Sequence, residues 1–416
     1  MAPAMSSFCM AAPLPPPPIL CMRPGAGLTS QMAGAYRKTL RLGRALACCG
    51  AATSLTVAKF LPFSIESKTK KETAMFMDNG AGAAPQGAKA ARDWVKVLAK
   101  YRQPDTSRSL FELAVTMGPF LLLWGLAWWA LSVSAWLTLA LSCINAAFLL
   151  RLFTIQHDCG HGAFFENRTV SDWLGRVLGV LTLTPYDVWR RAHSIHHSSA
   201  GNLGRRGIGD ITTLTVGEYR ALSASRRLLY RLYRNPIVLF GIGPGYMFLL
   251  QNRIPMGLMG HLKYWVSAMS TNAAILVALG LMLYFGGWAP ILLIFLPTSL
   301  LAATAGVWLF YVQHQFENTH WSNEPDWDLH AAALEGSSYY VLPPVLQWLS
   351  ANIGIHHVHH LYSRIPFYRL PQVLRDHADL AKMNRMTIRQ SLRTVRMQLW
   401  DENSNRLLSF AEARKV

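Results

Sequence analysis

Four stretches of this chain are almost wholly apolar: residues 111–131, 135–155, 268–285 and 290–312. A helix needs about 20 such residues to cross roughly 30 Å of hydrocarbon, so each stretch is predicted to span a membrane. The connections "SVS" and "GGWA" are too short for anything but tight reversals, which folds the four spans into two antiparallel hairpins. A fifth apolar run, 236–250, is short and rich in glycine, and reads as an interfacial or re-entrant segment. The expected fold class is an all-α integral membrane protein, with four transmembrane helices in two hairpins and the polar segments gathered into a helical cap.

Neither tight connection contains Lys or Arg. The segment between the hairpins carries Arg190, Arg191, Arg205, Arg206, Arg226, Arg227, Arg231, Arg234, Arg253 and Lys263. By the positive-inside rule, that segment and both ends of the mature chain face the cytosol or its plastid equivalent, the stroma.

Composition sharpens this picture. Of 416 residues 51% are hydrophobic and only 15% charged, yet the formal charge is +18. The basic residues are scattered, with neither zinc-finger spacing nor a basic helix interleaved with aromatics, so no nucleic-acid partner is expected. Attraction to anionic lipid headgroups accounts for the excess. The cysteines give no disulfide pattern, which suits a reducing compartment. Residues 1–75 contain Arg, Ser and Ala but no carboxylate before Glu66, the composition of an organelle transit peptide. Residues 76–92 read as linker, 93–390 as the working domain and 391–416 as a basic C-terminal tail.

The histidines follow the spans. "HDCGH" leaves the second span and places His157 and His161 four apart, on one side of a helix. "HSIHH" supplies His193, His196 and His197, again on one face. The fourth span ends in "YVQH", with His314, and "HHVHH" repeats the HxxHH spacing in His356, His359 and His360. Two crossings separate the second cluster from the third. Two is even, so every cluster emerges on the same side. His357 is the spare of the third cluster and is expected behind the ligands; His261, His320, His330 and His377 are isolated.

Eight or nine neutral imidazoles are too many for one ion. Shared between two, they leave coordination positions open, as catalysis requires. Imidazole suits zinc, copper, iron or nickel, so spacing does not choose the metal. An all-nitrogen pair of sites beside a membrane suits a redox-active metal acting on a lipid-soluble substrate. Asp158, Asp187 and Asp210 lie near enough in sequence to orient imidazole N–H groups.

"HDCGH", "WRRAHSIHH", "YVQHQFENTHW" and "IGIHHVHHLYSRIPFY" resemble the histidine boxes and flanks of the membrane fatty acid desaturases, over residues from about 100 to 380. The flank "HLYSRIPFY" resembles the acyl-lipid Δ12/ω6 group, whereas the stretch after the second box is closer to bacterial desaturases. The resemblance implies two irons, O2 as oxidant, and removal of two hydrogens from an unactivated methylene pair to leave a cis double bond. It carries the ligand and catalytic roles onto His157, His161, His193, His196, His197, His356, His359 and His360, with His314 as a further ligand. No "HPGG" haem signature is present, so electrons are expected from a separate carrier, ferredoxin in a plastid or cytochrome b5 in the endoplasmic reticulum. A plastid membrane is the expected location. The arginines at 226, 227, 231 and 234 offer an acidic carrier a docking patch, with lipid headgroups the favoured partner.

An apolar tunnel is then needed to hold the acyl chain. Trp124, Trp128, Trp129 and Trp308 are candidates to line it, though tryptophans near span ends are read first as interfacial anchors. A hydroxylase or ketolase acting on alkanes, sterols or carotenoids shares the same boxes and differs in its product. A metal transporter would need polar residues through its spans. Here the spans carry little beyond Glu112, Asn145 and Arg151, and the histidines sit outside.

Overall fold

The computed structural model describes residues 86–416. The leader expected over 1–75 lies outside them. Helix α1, Gln86–Leu98, begins within the stretch expected as linker.

Four helices are long and apolar enough to cross a membrane: α2 (Thr106–Ala130), α3 (Ala135–His161), α9 (Leu262–Gly286) and the continuous helix Ile291–His314, whose regular part is α10 (Leu296–His314). At a rise of about 1.5 Å per residue each exceeds the hydrocarbon thickness of ~30 Å. α2 begins where the Asp105 carboxylate accepts the Arg108 N–H at 2.9 Å, satisfying an amide that the first helical turn leaves free.

α3 is the central span. It packs against α2, α10 and the following helix α4, Arg168–Leu181. Its polar residues bind its neighbours. The Ser142 hydroxyl donates to the Leu293 carbonyl at 2.9 Å, and Thr298 donates back to the Ser142 carbonyl at 3.1 Å. Such bonds and small side chains replace the hydrophobic drive that lipid cannot supply. Arg151, fully buried, pairs with Glu112 of α2, which also takes Arg108. The two charges noted inside the spans therefore neutralise each other.

The cap is built between and after the hairpins. The first part holds α4, α5 (Tyr186–Ser199), strand β1 (Leu214–Thr215), α6 (Val216–Ala221), α7 (Ala224–Tyr233) and α8 (Gly243–Leu249). The run 236–250 forms a π-helical turn, Val238–Ile242, leading into α8, which packs on α10. After the last span come α11 (Leu329–Glu335), β2 (Tyr339–Val341), α12 (Pro344–Leu349), α13 (His356–Leu361), α14 (Leu370–Asp376), β3 (Arg385–Thr387), α15 (Ile388–Thr394), β4 (Leu399–Asp401) and β5 (Arg406–Leu408).

Two small sheets add to the expected helical cap. β4 lies between β1, its parallel partner, and antiparallel β5; β2 and β3 pair in parallel with Tyr340 opposite Met386. Strands of two or three residues carry too little periodicity to be read from sequence. They fasten the C-terminal stretch to the cap: Trp400 is fully buried and stacks on Trp321, ring centroids 6.1 Å apart. Arg234, expected in a surface docking patch, is instead 1% exposed and donates to Thr213, Gln315 and the Met397 carbonyl. It is a structural tie beneath the surface.

Candidate metal centre

α3 does not stop at the end of its apolar run. It continues through the first histidine box and closes at Gly162, whose φ of 67° is the left-handed turn that ends many helices. His157 and His161 therefore share one helix face, with Nε2 atoms 3.3 Å apart. α5 brings His193 beside them, its Nε2 3.0 Å from that of His161 and 3.0 Å from that of His197 one turn on. His359 of α13 completes this first group, its Nε2 3.2 Å from that of His197.

A second group forms alongside. The Nε2 of His196 lies 3.1 Å from that of His314 at the end of α10, which in turn lies 3.1 Å from that of His356; His360 joins them. The two HxxHH boxes are used in opposite senses. In the second box the outer pair, His193 and His197, serves the first group and His196 the second. In the third box the outer pair, His356 and His360, serves the second group and His359 the first. Two helices with the same spacing, each wedged between two sites, divide their nitrogens this way because i, i+3 and i+4 lie on one face but i+3 and i+4 flank i on opposite sides, so that one face reaches two neighbouring sites.

The nine histidines singled out from sequence are thus brought together, and the isolated ones at 261, 320, 330 and 377 are not among them. His357 turns away: its Nε2–H donates to the Leu380 carbonyl at 2.9 Å, and burial pushes its pKa down to about 4.

The donor set fits metal ions. Backbone and carboxylate acceptors fix the tautomers: Nδ1–H of His196 donates to Asp210 at 2.5 Å, that of His157 to Asp158 at 3.3 Å, and that of His314 to the Gly336 carbonyl at 3.2 Å. Each leaves its Nε2 lone pair facing inward. Burial, then the neighbouring imidazoles, hold His193, His197, His356, His359 and His360 well below the usual histidine range. Neutral rings are what ligation requires. Lone pairs facing one another at 3.0–3.3 Å repel unless something positive lies among them. With metal–nitrogen bonds of about 2.1 Å, ligands at right angles stand about 3 Å apart. His360 has no hydrogen-bond partner on either nitrogen among the described residues, a costly state that coordination would relieve. Five donors in the first group exceed the four of a tetrahedral zinc site.

Of the three aspartates expected to orient imidazoles, Asp158 and Asp210 do so. Asp187 does not: its carboxylate lies 3.0 Å from Arg176 and 3.9 Å from Arg190. Sequence reasoning missed Trp189, which stacks on His193 with centroids 4.7 Å apart and planes 14° from parallel. Gly160, inside the first box, makes room for it. A Cβ there would stand 2.9 Å from the Trp189 ring.

A cavity of about 260 Å³ reaches this centre, touching His157, His193 and His356. Its walls are mostly apolar and come from α3 (Leu149, Phe153), α10 (Ala302, Val307) and the segment around α8 (Met247, Phe248). Trp189 lines it. The four tryptophans at 124, 128, 129 and 308 are not among its walls, and Trp129 is 61% exposed, as an interfacial anchor would be.

Comparison with known proteins agrees with this architecture. The family model for fatty acid desaturases matches residues 134–392. The chain is 44% identical over 322 residues to a fatty acid desaturase of Bacillus subtilis, covering 77% of this chain and 91% of that protein. It is 28% identical over 240 residues to the sn-1 acyl-lipid omega-3 desaturase (ferredoxin) of a Synechocystis strain, covering 55% and 63% of the two chains. To the sn-1 oleoyl-lipid 12-desaturase of Anabaena variabilis it is 22% identical over 299 residues, 67% of this chain and 79% of the other. The chain belongs to the fatty acid desaturase family. It is a membrane oxidoreductase.

Proposed function

We propose that the protein introduces a cis double bond into the acyl chain of a membrane lipid, using two irons held by the nine clustered histidines. The convergence of two imidazole groups at the end of an apolar cavity carries this reading. The first ion would be held by His157, His161, His193, His197 and His359, and the second by His196, His314, His356 and His360. Bound iron would supply the oxidising power of O2 that no side chain possesses. The overall balance takes two hydrogens from adjacent methylenes, with O2, two electrons and two protons, and yields the alkene and two waters.

The chain's own residues do the positioning. α3 and α10 form an apolar slot that accepts an acyl chain from the bilayer without wetting it. Asp158 and Asp210 hold the rings of His157 and His196 in the tautomer that presents Nε2. Trp189, stacked on His193, keeps that ring at the end of the slot and closes the wall against water.

The flank after the third box and the relatives named as 12-desaturases favour Δ12 as the position. The exposed Arg227 and Arg231 of α7 would meet lipid headgroups. Electrons would come from a ferredoxin, as the name of the Synechocystis relative states for that protein, and the acid-poor leader would direct the chain to a plastid membrane. The test is expression of the full chain in a host that makes only saturated and monounsaturated acids, followed by gas chromatography of its lipids. A new double bond in wild type and none in His196→Ala supports the reading. An inserted oxygen, or an unchanged profile, refutes it.

A further inference from the structure

The basic C-terminal stretch takes no part in holding metal or lining the cavity. Residues 385–396 hold four arginines and no carboxylate. They form β3 and α15, and Arg385, Arg389, Arg393 and Arg396 are all exposed. Among the described residues no carboxylate pairs with any of them. Beside them α15 exposes two apolar side chains, Ile388 at 39% and Leu392 at 62%. Residues four apart share a helix face, so Ile388 and Leu392 make one stripe, and Arg389 and Arg393 make the next. Ser391 and Thr394 form the buried face. An apolar stripe edged by arginines is the pattern of a helix that lies in the membrane–water interface.

The packing sets α15 at that level. The Tyr311 hydroxyl of α10 donates to the Thr394 carbonyl at 2.7 Å, and the Ser391 and Tyr340 hydroxyls are bonded at 3.1 Å. Tyr311 lies within one turn of His314, where the fourth span ends. α7 adjoins the same stretch: its Tyr230 and the following Arg234 donate to the carbonyls of Gln398 and Met397 at 2.6 and 2.7 Å. Directly after α7 comes the apolar run 236–250, whose Phe240 carbonyl accepts from Thr304 within α10 at 2.9 Å. α7 and α15 therefore meet where the apolar span gives way to the cap. The link continues to the metal centre. β3 leads into α15 and pairs with β2, and the Ser338 carbonyl before β2 accepts the backbone N–H groups of His356 and His357 at 3.2 and 3.3 Å.

Charge and position together choose the occupant. Unpaired guanidiniums side by side repel one another, and anions relieve that repulsion. An acidic electron carrier has the right charge, but the half-exposed rings it would approach are His161, His193 and His197 of the first group. α15 rests instead on α10, whose His314 belongs to the wholly buried second group. A bilayer surface meets both features at once, with headgroup anions for the arginines and the acyl boundary for Ile388 and Leu392. We propose that α15 docks on the anionic lipid headgroups of the bilayer through Arg389 and Arg393, and so pins the sheet behind the third histidine box to the membrane. The proposal rests on the membrane placement of the four spans and is independent of the reaction assigned above.

The experiment titrates short-chain phosphatidylglycerol into the purified full-length protein in neutral detergent and follows the melting temperature, which rises when a ligand binds the folded state. Phosphatidylcholine with the same tails is the neutral control, and inorganic phosphate is the free anion. Wild type should respond to the anionic lipid at lower concentration than to the neutral one, and not to phosphate. Arg389→Glu combined with Arg393→Glu should raise the half-effect concentration of phosphatidylglycerol about thirtyfold, the factor for roughly 2 kcal/mol from two arginines. Arg389→Lys combined with Arg393→Lys, which keeps the charge, should restore it. Equal response to both lipids, an equal response to phosphate, or an unchanged response in the Glu variant would overturn the proposal. So would a Glu variant that binds lipid as wild type does but needs more reduced ferredoxin for turnover, which would make α15 a carrier dock. Absence of any new double bond from wild type would overturn the desaturase reading and leave the lipid titration to decide α15.

Discussion

Asp158 accepts the backbone N–H of Phe367 at 2.7 Å, while its other oxygen receives the Nδ1–H of His157. One carboxylate thus joins the first histidine box to the loop that follows the third, across 209 positions of sequence. Asp158→Asn would present an amide N–H to one of two donors. Iron content of the purified variant, read by mass spectrometry, should fall by one to two orders of magnitude in affinity terms, the usual effect of removing such a support. Unchanged iron binding would show that backbone packing alone positions His157.

Gly160 and Trp189 give a second test. Gly160→Ala should push the indole off His193 and lower activity, whereas Gly160→Ala combined with Trp189→Phe should recover part of it, because the smaller ring leaves room for the methyl. Non-additivity of the two changes in a double-mutant cycle is the measurement. Additive losses would mean that the two residues act separately.

The buried pair of Arg151 and Glu112 predicts a loss of stability rather than of chemistry. Glu112→Gln should strand the guanidinium in the span and cost roughly 3–5 kcal/mol, seen as a lower melting temperature in detergent. Replacing both, Glu112→Leu with Arg151→Met, should return most of that loss, since removing a buried pair together is far less costly than breaking it.

The nine histidines are legible in the sequence because three constraints coincide. Spacing puts them on helix faces, span counting puts them on one side, and the apolar runs mark where the chain leaves the membrane. What sequence could not supply was contact between distant segments. Asp187 lies nearer in sequence to the second box than Asp210 does, but α5 turns it toward Arg176 and Arg190. Arg234 stands in a basic run with exposed Arg227 and Arg231, yet it follows α7 directly, is 1% exposed and donates to the Met397 carbonyl. Nothing local distinguishes it. The apolar run of the second span ends at 155, where the sequence loses apolarity, while the helix continues six residues further to His161.

The opposite use of the two HxxHH boxes makes the central claim measurable. Iron per chain should be determined for purified full-length wild type, for His161→Ala in the first group and for His360→Ala in the second. The account predicts about two irons in wild type and about one in each variant, with each variant retaining the ion of the other group. A single iron in wild type, or zinc in place of iron at full occupancy, would contradict it.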